Sequence, residues 1–422
     1  MEQLIINGGN RLSGEVEING AKNAVVAVLS ATVAANGVCV VDNLPCIEDT
    51  ASLVSAISDL GAVCEFRDKR TLVVDSRPVR QSQTDHPALK KIRGGYYLLG
   101  ALLGRFKSAE VPLPGGCDFG ARPIDLHVKG LTALGAKVKT EYGMIKAEAD
   151  QLTGASIYLD IASVGATINI MLAAVHATGT TVIENAAKEP HVVDTANFLN
   201  MIGANIKGAG TDIIRINGVK SLHGGEYTII PDQIETGTYM IAAAITGGDV
   251  VVRNIIPKHM DSLAAKLIEM NCKVQDGNDY IRISGGSPLR SAKIKTSVYP
   301  GFPTDLQPQM TTLLCVAQGN GMITETVTEN RFQYVTELKR LGADITVEGR
   351  LAVVRGGVQF TGTEVNASDL RAGVALVLAG LAAKGKTTIG NVRYIDRGYE
   401  NIETKLSDLG ADIRRVHTED RA

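Results

Sequence analysis

The feature that most narrows what this chain can fold into is a repeat. Six times, a helix-like stretch ends in Leu-Gly-Ala or a close variant and runs directly into a strand-like stretch. The copies read S-D-L-G-A-V-C-E-F, T-A-L-G-A-K-V-K, N-M-I-G-A-N-I-K, I-E-M-N-C-K-V-Q, K-R-L-G-A-D-I-T and S-D-L-G-A-D-I-R. Their turn positions are Gly61, Gly135, Gly203, Asn271, Gly342 and Gly410, at intervals of 74, 68, 68, 71 and 68 residues. Glycine, or asparagine in the fourth copy, suits the left-handed residue just past a helix C-terminus, where a Cβ crowds its own backbone. A fixed period of this size marks a fold assembled from one supersecondary unit.

Each copy also carries an earlier, alanine-rich helix, starting near Lys22, Arg93, Val164, Thr236, Asp305 and Asp369. Apolar residues cover nearly every face of A-K-N-A-V-V-A-V-L-S-A-T-V-A-A-N-G and S-D-L-R-A-G-V-A-L-V-L-A-G-L-A-A-K-G, which predicts burial. The helices that end in Gly-Ala are more amphipathic. Short β-branched runs at 38–41, 180–183 and 250–252 separate the two helices. The unit therefore reads strand-helix-strand-helix-strand-strand, an α/β design. A chain of 422 residues exceeds one ordinary core. Six units split naturally into two domains of three, with buried helices inside and sheets outside. The expected domains are 20–229, with the cysteine loop described below, and 1–19 plus 230–422. The opening strand at 2–6 is expected to pair with the last unit, so that the chain crosses near Gly20 and returns near Ile230.

Composition excludes several function classes. A net charge of -2 lacks the basic excess of a general nucleic-acid binder, and 4% aromatics with no Trp leave little for base stacking. The start M-E-Q-L-I-I-N-G-G-N is not a secretory signal, and the longest apolar stretches are too short to span a membrane. Six cysteines without close regular spacing do not form a disulfide framework, which points to a reduced, cytoplasmic protein. No C-x-x-C pair, H-E-x-x-H or EF-hand loop occurs, so no metal site is expected.

Candidate chemistry starts at 111–127, V-P-L-P-G-G-C-D-F-G-A-R-P-I-D-L-H. Pro112, Pro114, Gly115, Gly116 and Gly120 exclude regular helix or strand around Cys117. A cysteine in such a loop is reachable by small molecules, and Arg122 favours its thiolate. The alternative is a turn cysteine with no chemistry. Cys39, Cys46, Cys64, Cys272 and Cys315 mostly lie among apolar or strand-forming residues, where the thiol is usually inert. The longest interval of the repeat contains the Cys117 loop, and irregular loops on a repeat scaffold commonly carry function. The starts of the buried helices are also oddly charged, with Lys22 and Asn23, Arg93, Ser163, Asp305, and Asp369 with Arg371. Helix N-termini suit anions, and Arg122, Arg331 and Arg397 would extend the set to phosphate and carboxylate groups. The plainer reading makes these residues caps and solvated ends, Asp305 and Asp369 most readily.

G-A-K-N-A at 20–24, P-G-G-C-D-F-G-A-R-P-I-D-L-H at 114–127, S-V-G-A-T at 163–167, F-P-T-D-L-Q at 302–307, E-N-R-F at 329–332 and Y-I-D-R-G-Y-E at 394–400 together resemble the enolpyruvyl transferases that act on UDP-N-acetylglucosamine. The resemblance runs from Leu4 to about Val416. It implies a two-domain inside-out α/β barrel of six βαβαββ units. The implied reaction transfers the enolpyruvyl group of phosphoenolpyruvate to the 3′-hydroxyl of UDP-N-acetylglucosamine, releases phosphate and opens peptidoglycan synthesis. Domain closure around the substrates, no cofactor and a monomeric state are expected with it.

By the same resemblance, Cys117 protonates the C3 methylene, can form an adduct at C2 and is the target of fosfomycin. Asp305 takes the proton of the sugar hydroxyl. Lys22, Arg122 and Arg397 hold the phosphate of phosphoenolpyruvate, joined by Arg93 on closure. Arg331 and Arg371 face its carboxylate, with Asp369 nearby as a proton carrier. Asn23 contacts the sugar. Arg122, Pro123, Ile124, Asp125, Leu126 and His127 line the uridine, His127 as a binding residue and not a base. Ser163, Val164 and Gly165 meet the diphosphate, and Val327 touches the sugar. The chain departs from the commoner pattern at Asp118-Phe119, at Tyr96-Tyr97 where some members have Trp, and at Ile161-Ala162 where some have Lys. The rival readings are a shikimate-pathway enolpyruvyl transferase and a non-catalytic scaffold that binds nucleotide sugars.

Overall fold

All six turn residues adopt the left-handed conformation, with φ between 76° at Asn271 and 106° at Gly203. Each one ends a helix and releases the chain into a strand. The computed structural model describes residues 2–90, 92–113 and 124–417, and gives the backbone but not the side chain of Arg93.

The chain divides into two units, Gly20–Ile230 and Met1–Asn19 with Pro231–Ala422. The fifth repeat shows the sheet plan most simply. Strand Lys293–Lys295 runs parallel to Asn320–Thr324, which pairs antiparallel with Leu351–Arg355, itself antiparallel to Asp344–Glu348. The parallel pair needs a crossover, and the buried helix Gln307–Val316 supplies it.

Three sheets borrow a strand from a distant part of the chain. Gly225–Thr228 opens the first repeat by pairing parallel to Val38–Asp42. Ser13–Glu17 opens the fourth by pairing parallel to Asp249–Arg253. Glu2–Asn7 lies between Lys386–Gly390 and Asp412–His417 and completes the last repeat. The second repeat departs from the expected plan. Its sheet has three strands, Ser108–Pro112, Met144–Glu148 and Lys137–Glu141, and its opening strand is reduced to one bridge between Gln83 and Glu110. The preceding stretch is polar and runs into Pro87, which starts the 3-10 turn Pro87–Lys90 in place of a β-branched run.

Inside the unit Gly20–Ile230, the helices Lys22–Thr32, Tyr97–Phe106 and Val164–Ala174 are buried almost all round. Two of them touch backbone to backbone. A Cβ on Gly100 would lie 2.3 Å from the Asn169 carbonyl oxygen, so only glycine permits this approach. Asn169, fully buried, satisfies both ends of its amide: Oδ1 accepts from Gly100 N at 2.8 Å and Nδ2 donates to Tyr96 O at 2.9 Å. The other unit buries Gln233–Thr246, Gln307–Val316 and Leu370–Ala382 in the same way. With their sides sealed, these helices offer only their ends to solvent or ligand.

The borrowed first strand gives a direct test. Leu4 is fully buried and registers with Ile389 and Arg415. Leu4→Ala is expected to cost about 2–5 kcal/mol, read as a lower urea midpoint at unchanged m-value.

Candidate active site

In the unit that includes Pro231–Ala422, the candidate residues converge on Asp305. Pro303 leads into the one-turn 3-10 helix Thr304–Leu306, and Pro308 in the first turn of Gln307–Val316 fixes the helical direction without costing a hydrogen bond. Asp305, in the middle of that turn, does not cap the helix. Its carboxylate accepts from Arg331 Nη2 at 2.9 Å on one oxygen and from Arg371 Nη2 at 3.0 Å on the other.

Both guanidiniums are buried while Asp305 is partly open. Arg331 starts the 3-10 turn Arg331–Tyr334, after Asn330 turns the chain through a left-handed φ of 51°, and its Nη2 also donates to Thr304 O at 3.2 Å. Arg371 lies in the first turn of Leu370–Ala382. Asp369 is the N-cap of that helix and accepts from Arg371 N at 2.8 Å and Ala372 N at 3.2 Å. The cap reading thus holds for Asp369 and not for Asp305.

Tyr399 packs its ring 5.9 Å from the Arg371 guanidinium. Its hydroxyl lies 3.4 Å from Arg371 Nη1 and 2.7 Å from Thr238 Oγ1. Burial works against the charge on Arg371, but the acidic groups around it, Asp305 foremost with Tyr399 and Asp232, together outweigh it, so the guanidinium pKa is raised. Two guanidiniums that share one carboxylate present the planar donor geometry that carboxylates and phosphates take. Val327 is exposed on the loop preceding Arg331, and Arg397 closes the short helix Arg393–Asp396.

In the unit Gly20–Ile230, Lys22 is the first residue of its helix and Asn23 the second. A cation at a helix N-terminus opposes the macrodipole. Lys22 is instead held by Asp49, at 2.7 Å, from the first turn of Glu48–Asp59, where Asp49 is buried. Ser163 caps Val164–Ala174 by accepting from Ala166 N at 3.3 Å. The start of that helix packs under two rings, since a Cβ on Gly165 would lie 2.6 Å from the Tyr96 hydroxyl and 3.0 Å from the His127 ring.

His127 belongs to the first turn of helix Asp125–Ala133, not to the loop, and points inward. Its Nδ1 lies 3.0 Å from Asn169 Nδ2 and its ring stands edge-on to Tyr96 at 4.9 Å. Burial pulls the imidazole pKa down from 6.5 to about 4, with Asp125 opposing weakly. Leu126 is buried beside it, while Asp125 is exposed and Ile124 half-buried.

Cys117, Arg122 and Pro123 lie outside the described residues, as does the Arg93 side chain, whose backbone opens the turn Arg93–Tyr96. Of the remaining cysteines, Cys39, Cys272 and Cys315 are buried, and burial pushes Cys39 up to about 11 and Cys315 up to about 12. Cys46 departs from the expected apolar setting: it is exposed, its Sγ 3.1 Å from Lys69 O. Among the described residues, no cluster of His, Cys, Asp and Glu would hold a metal ion, and no helix is long and apolar enough to cross a membrane.

Sequence reasoning missed Asp49, Tyr96, Asn169 and Tyr399 as partners of site residues. Tyr399 stood in the quoted Y-I-D-R-G-Y-E motif without a role. The other three pair across separate repeats or helices, so no local pattern marks them.

The family model for EPSP synthase (3-phosphoshikimate 1-carboxyvinyltransferase) matches residues 6–406. A Clostridium acetobutylicum protein named UDP-N-acetylglucosamine 1-carboxyvinyltransferase 2 is 54% identical over 98% of this chain and 99% of its own. A Clostridium botulinum protein named UDP-N-acetylglucosamine 1-carboxyvinyltransferase is 54% identical over 99% of this chain and 100% of its own. Among solved structures, the enolpyruvyl transferase NikO from Streptomyces tendae matches with a TM-score of 0.90 at 29% identity, covering 99% of both chains. EPSP synthase from Acinetobacter baumannii shares the fold with a TM-score of 0.77 at 21% identity, over 99% of this chain and 100% of its own.

The His127 environment makes a pH prediction. A histidine whose folded pKa lies near 4 binds fewer protons than the unfolded chain between there and 6.5, so its contribution falls as pH drops through that window. The His127 ring is expected to stay neutral in NMR titrations down to about pH 5, and His127→Asn to flatten the loss of stability over the same range.

Proposed function

The chain belongs to the enolpyruvyl transferase family of EPSP synthase, and from that premise we propose how its own residues divide the work. The activity is that of a UDP-N-acetylglucosamine 1-carboxyvinyltransferase: phosphoenolpyruvate gives its enolpyruvyl group to the 3′-hydroxyl of UDP-N-acetylglucosamine, and phosphate leaves. This is the first committed step of peptidoglycan synthesis. The names of the relatives at 54% identity favour this acceptor over the shikimate phosphate in the family description. An assay offering both acceptors separates the two. We read the protein as a cytoplasmic monomer.

In the addition step, Cys117 gives its proton to C3 of phosphoenolpyruvate while Asp305 takes the proton of the sugar hydroxyl, and the oxygen bonds to C2. In the elimination step, C3 returns a proton and the C2–O bond to phosphate breaks. Lys22, Arg122 and Arg397 hold the phosphate, with Arg93. Arg331 and Arg371 hold the carboxylate, and Asp369 caps the helix that carries Arg371. Fixed cations of this kind stabilise the anionic ketal without reorganising. Asn23 and Val327 contact the sugar. Ile124, Asp125, Leu126 and His127, with Pro123, shape the uridine pocket, and Ser163, Val164 and Gly165 meet the diphosphate.

The observation that carries this reading is the Asp305 carboxylate seated on both Arg331 and Arg371. A base paired with two guanidiniums is a poor base. The substrate carboxylate competes for the same pair, so its arrival releases Asp305 toward the hydroxyl. The acid-base pair is thereby completed only when substrate is bound.

Asp305→Ala is expected to lower kcat by about 10²–10⁴-fold while phosphoenolpyruvate still binds; normal turnover would remove Asp305 as the base. Intact-mass measurement after fosfomycin treatment should show one adduct, lost in Cys117→Ala. An adduct retained in that variant, for instance on the exposed Cys46, would count against Cys117.

A further inference from the structure

We infer that Glu325, to which no role in this reaction has been given, is a positioning residue that sets the base and the acceptor loop together; the inference rests on the roles proposed above for Asp305 and Val327. Glu325 follows strand Asn320–Thr324, at the carboxyl ends of parallel strands where α/β folds place their ligands. Its side chain is 1% exposed. A buried carboxylate is costly unless its oxygens are filled by donors. Here they are filled from three directions. Oε1 accepts from Thr296 Oγ1 at 2.8 Å, Val327 N at 2.8 Å and Thr328 N at 2.9 Å. Oε2 accepts from Thr304 Oγ1 at 3.0 Å.

These donors belong to different pieces of chain. Thr296 directly follows the neighbouring parallel strand Lys293–Lys295, and its hydroxyl also accepts from Thr326 N at 2.8 Å. Val327, proposed to meet the sugar, and Thr328 belong to one loop. Thr304 begins the turn whose next residue is Asp305. Thr304 is gripped twice, its hydroxyl by Glu325 and its carbonyl by Arg331. The Thr328 hydroxyl, 3.0 Å from Thr304 Oγ1, closes the ring of contacts. One carboxylate therefore fixes the distance between the base and the acceptor-contact loop. Small displacements there are felt strongly, because proton transfer needs hydrogen-bond reach.

The geometry separates two effects. Thr304→Val removes the hydroxyl and its contact with Thr328 Oγ1 but leaves the Glu325 bonds to Val327 N and Thr328 N, so kcat should fall at least about tenfold with the KM for UDP-N-acetylglucosamine within about twofold. Thr304→Ser keeps the hydroxyl and should recover kcat to within about threefold. Glu325→Ala frees both sides, lowering kcat at least about tenfold and raising that KM at least about fivefold. Glu325→Gln is the decisive variant. Its amide oxygen can keep the Thr296, Val327 and Thr328 donors while its amide nitrogen donates to Thr304 Oγ1, whose hydroxyl then turns to Thr328. It should retain activity within about threefold of the parent.

Kinetics are measured well below each variant's Tm. Thr304→Val or Glu325→Ala with unchanged kcat and KM would overturn the inference, as would a Glu325→Gln enzyme as impaired as Glu325→Ala. If Asp305→Ala is inactive while both disruptive variants work normally, only the positioning role fails. If Asp305→Ala is active, the base assignment beneath it fails.

Discussion

Burial of helices on nearly all their faces is the constraint on which the rest of this structure depends. Lys22–Thr32, Tyr97–Phe106 and Val164–Ala174 in one unit, and Gln233–Thr246, Gln307–Val316 and Leu370–Ala382 in the other, bury nearly every residue, polar ones included. They must be covered on all sides, by each other and by the sheets. What remains available is their ends. Free N–H groups and the positive end of the dipole gather there, and that is where the chain spends Lys22, Ser163, Asp305, Asp369 and Arg371.

The cost of close packing is met by a few polar side chains that satisfy groups which would otherwise be stranded. Asn169 joins Gly100 to Tyr96 and to His127. Glu325 performs a similar task among Thr296, Thr304 and the loop at Val327. Both are buried amide or carboxylate groups used as junctions between elements that share no strand or helix. Such junctions hold functional ends at fixed spacings, because a fully bonded buried group has no alternative arrangement of similar energy.

Asp305 shows how the same residue type can do different work at equivalent positions. Asp369 uses its carboxylate to cap a helix, so its negative charge is spent on backbone donors. Asp305 stands inside the turn, and its carboxylate turns to two guanidiniums instead. Arg331 and Arg371 come from the fifth and sixth repeats, so this triangle exists only once neighbouring repeats are stacked. A sequence pattern that places both aspartates at helix starts cannot tell them apart.

Much of the architecture was legible because it follows from local chemistry. Six left-handed turns, two kinds of helix and a period near 70 residues dictate six copies of one unit, whatever the chain later does with them. The motif residues marked the reaction class, since nucleophile, carboxylate and cations each have a narrow choice of side chain. The opening strand's place in the last repeat was expected, but tertiary structure alone decided that Gly225–Thr228 opens the first sheet and Ser13–Glu17 the fourth, and why the second repeat goes without its opening strand. It alone decided that Lys22 is held by Asp49, that His127 turns inward to Asn169 and that Glu325 gathers two threonine hydroxyls and the loop at Val327. The reason is range: turns and periodicity act through neighbours along the chain, whereas a buried charge finds its partners only after distant segments have been packed beside it.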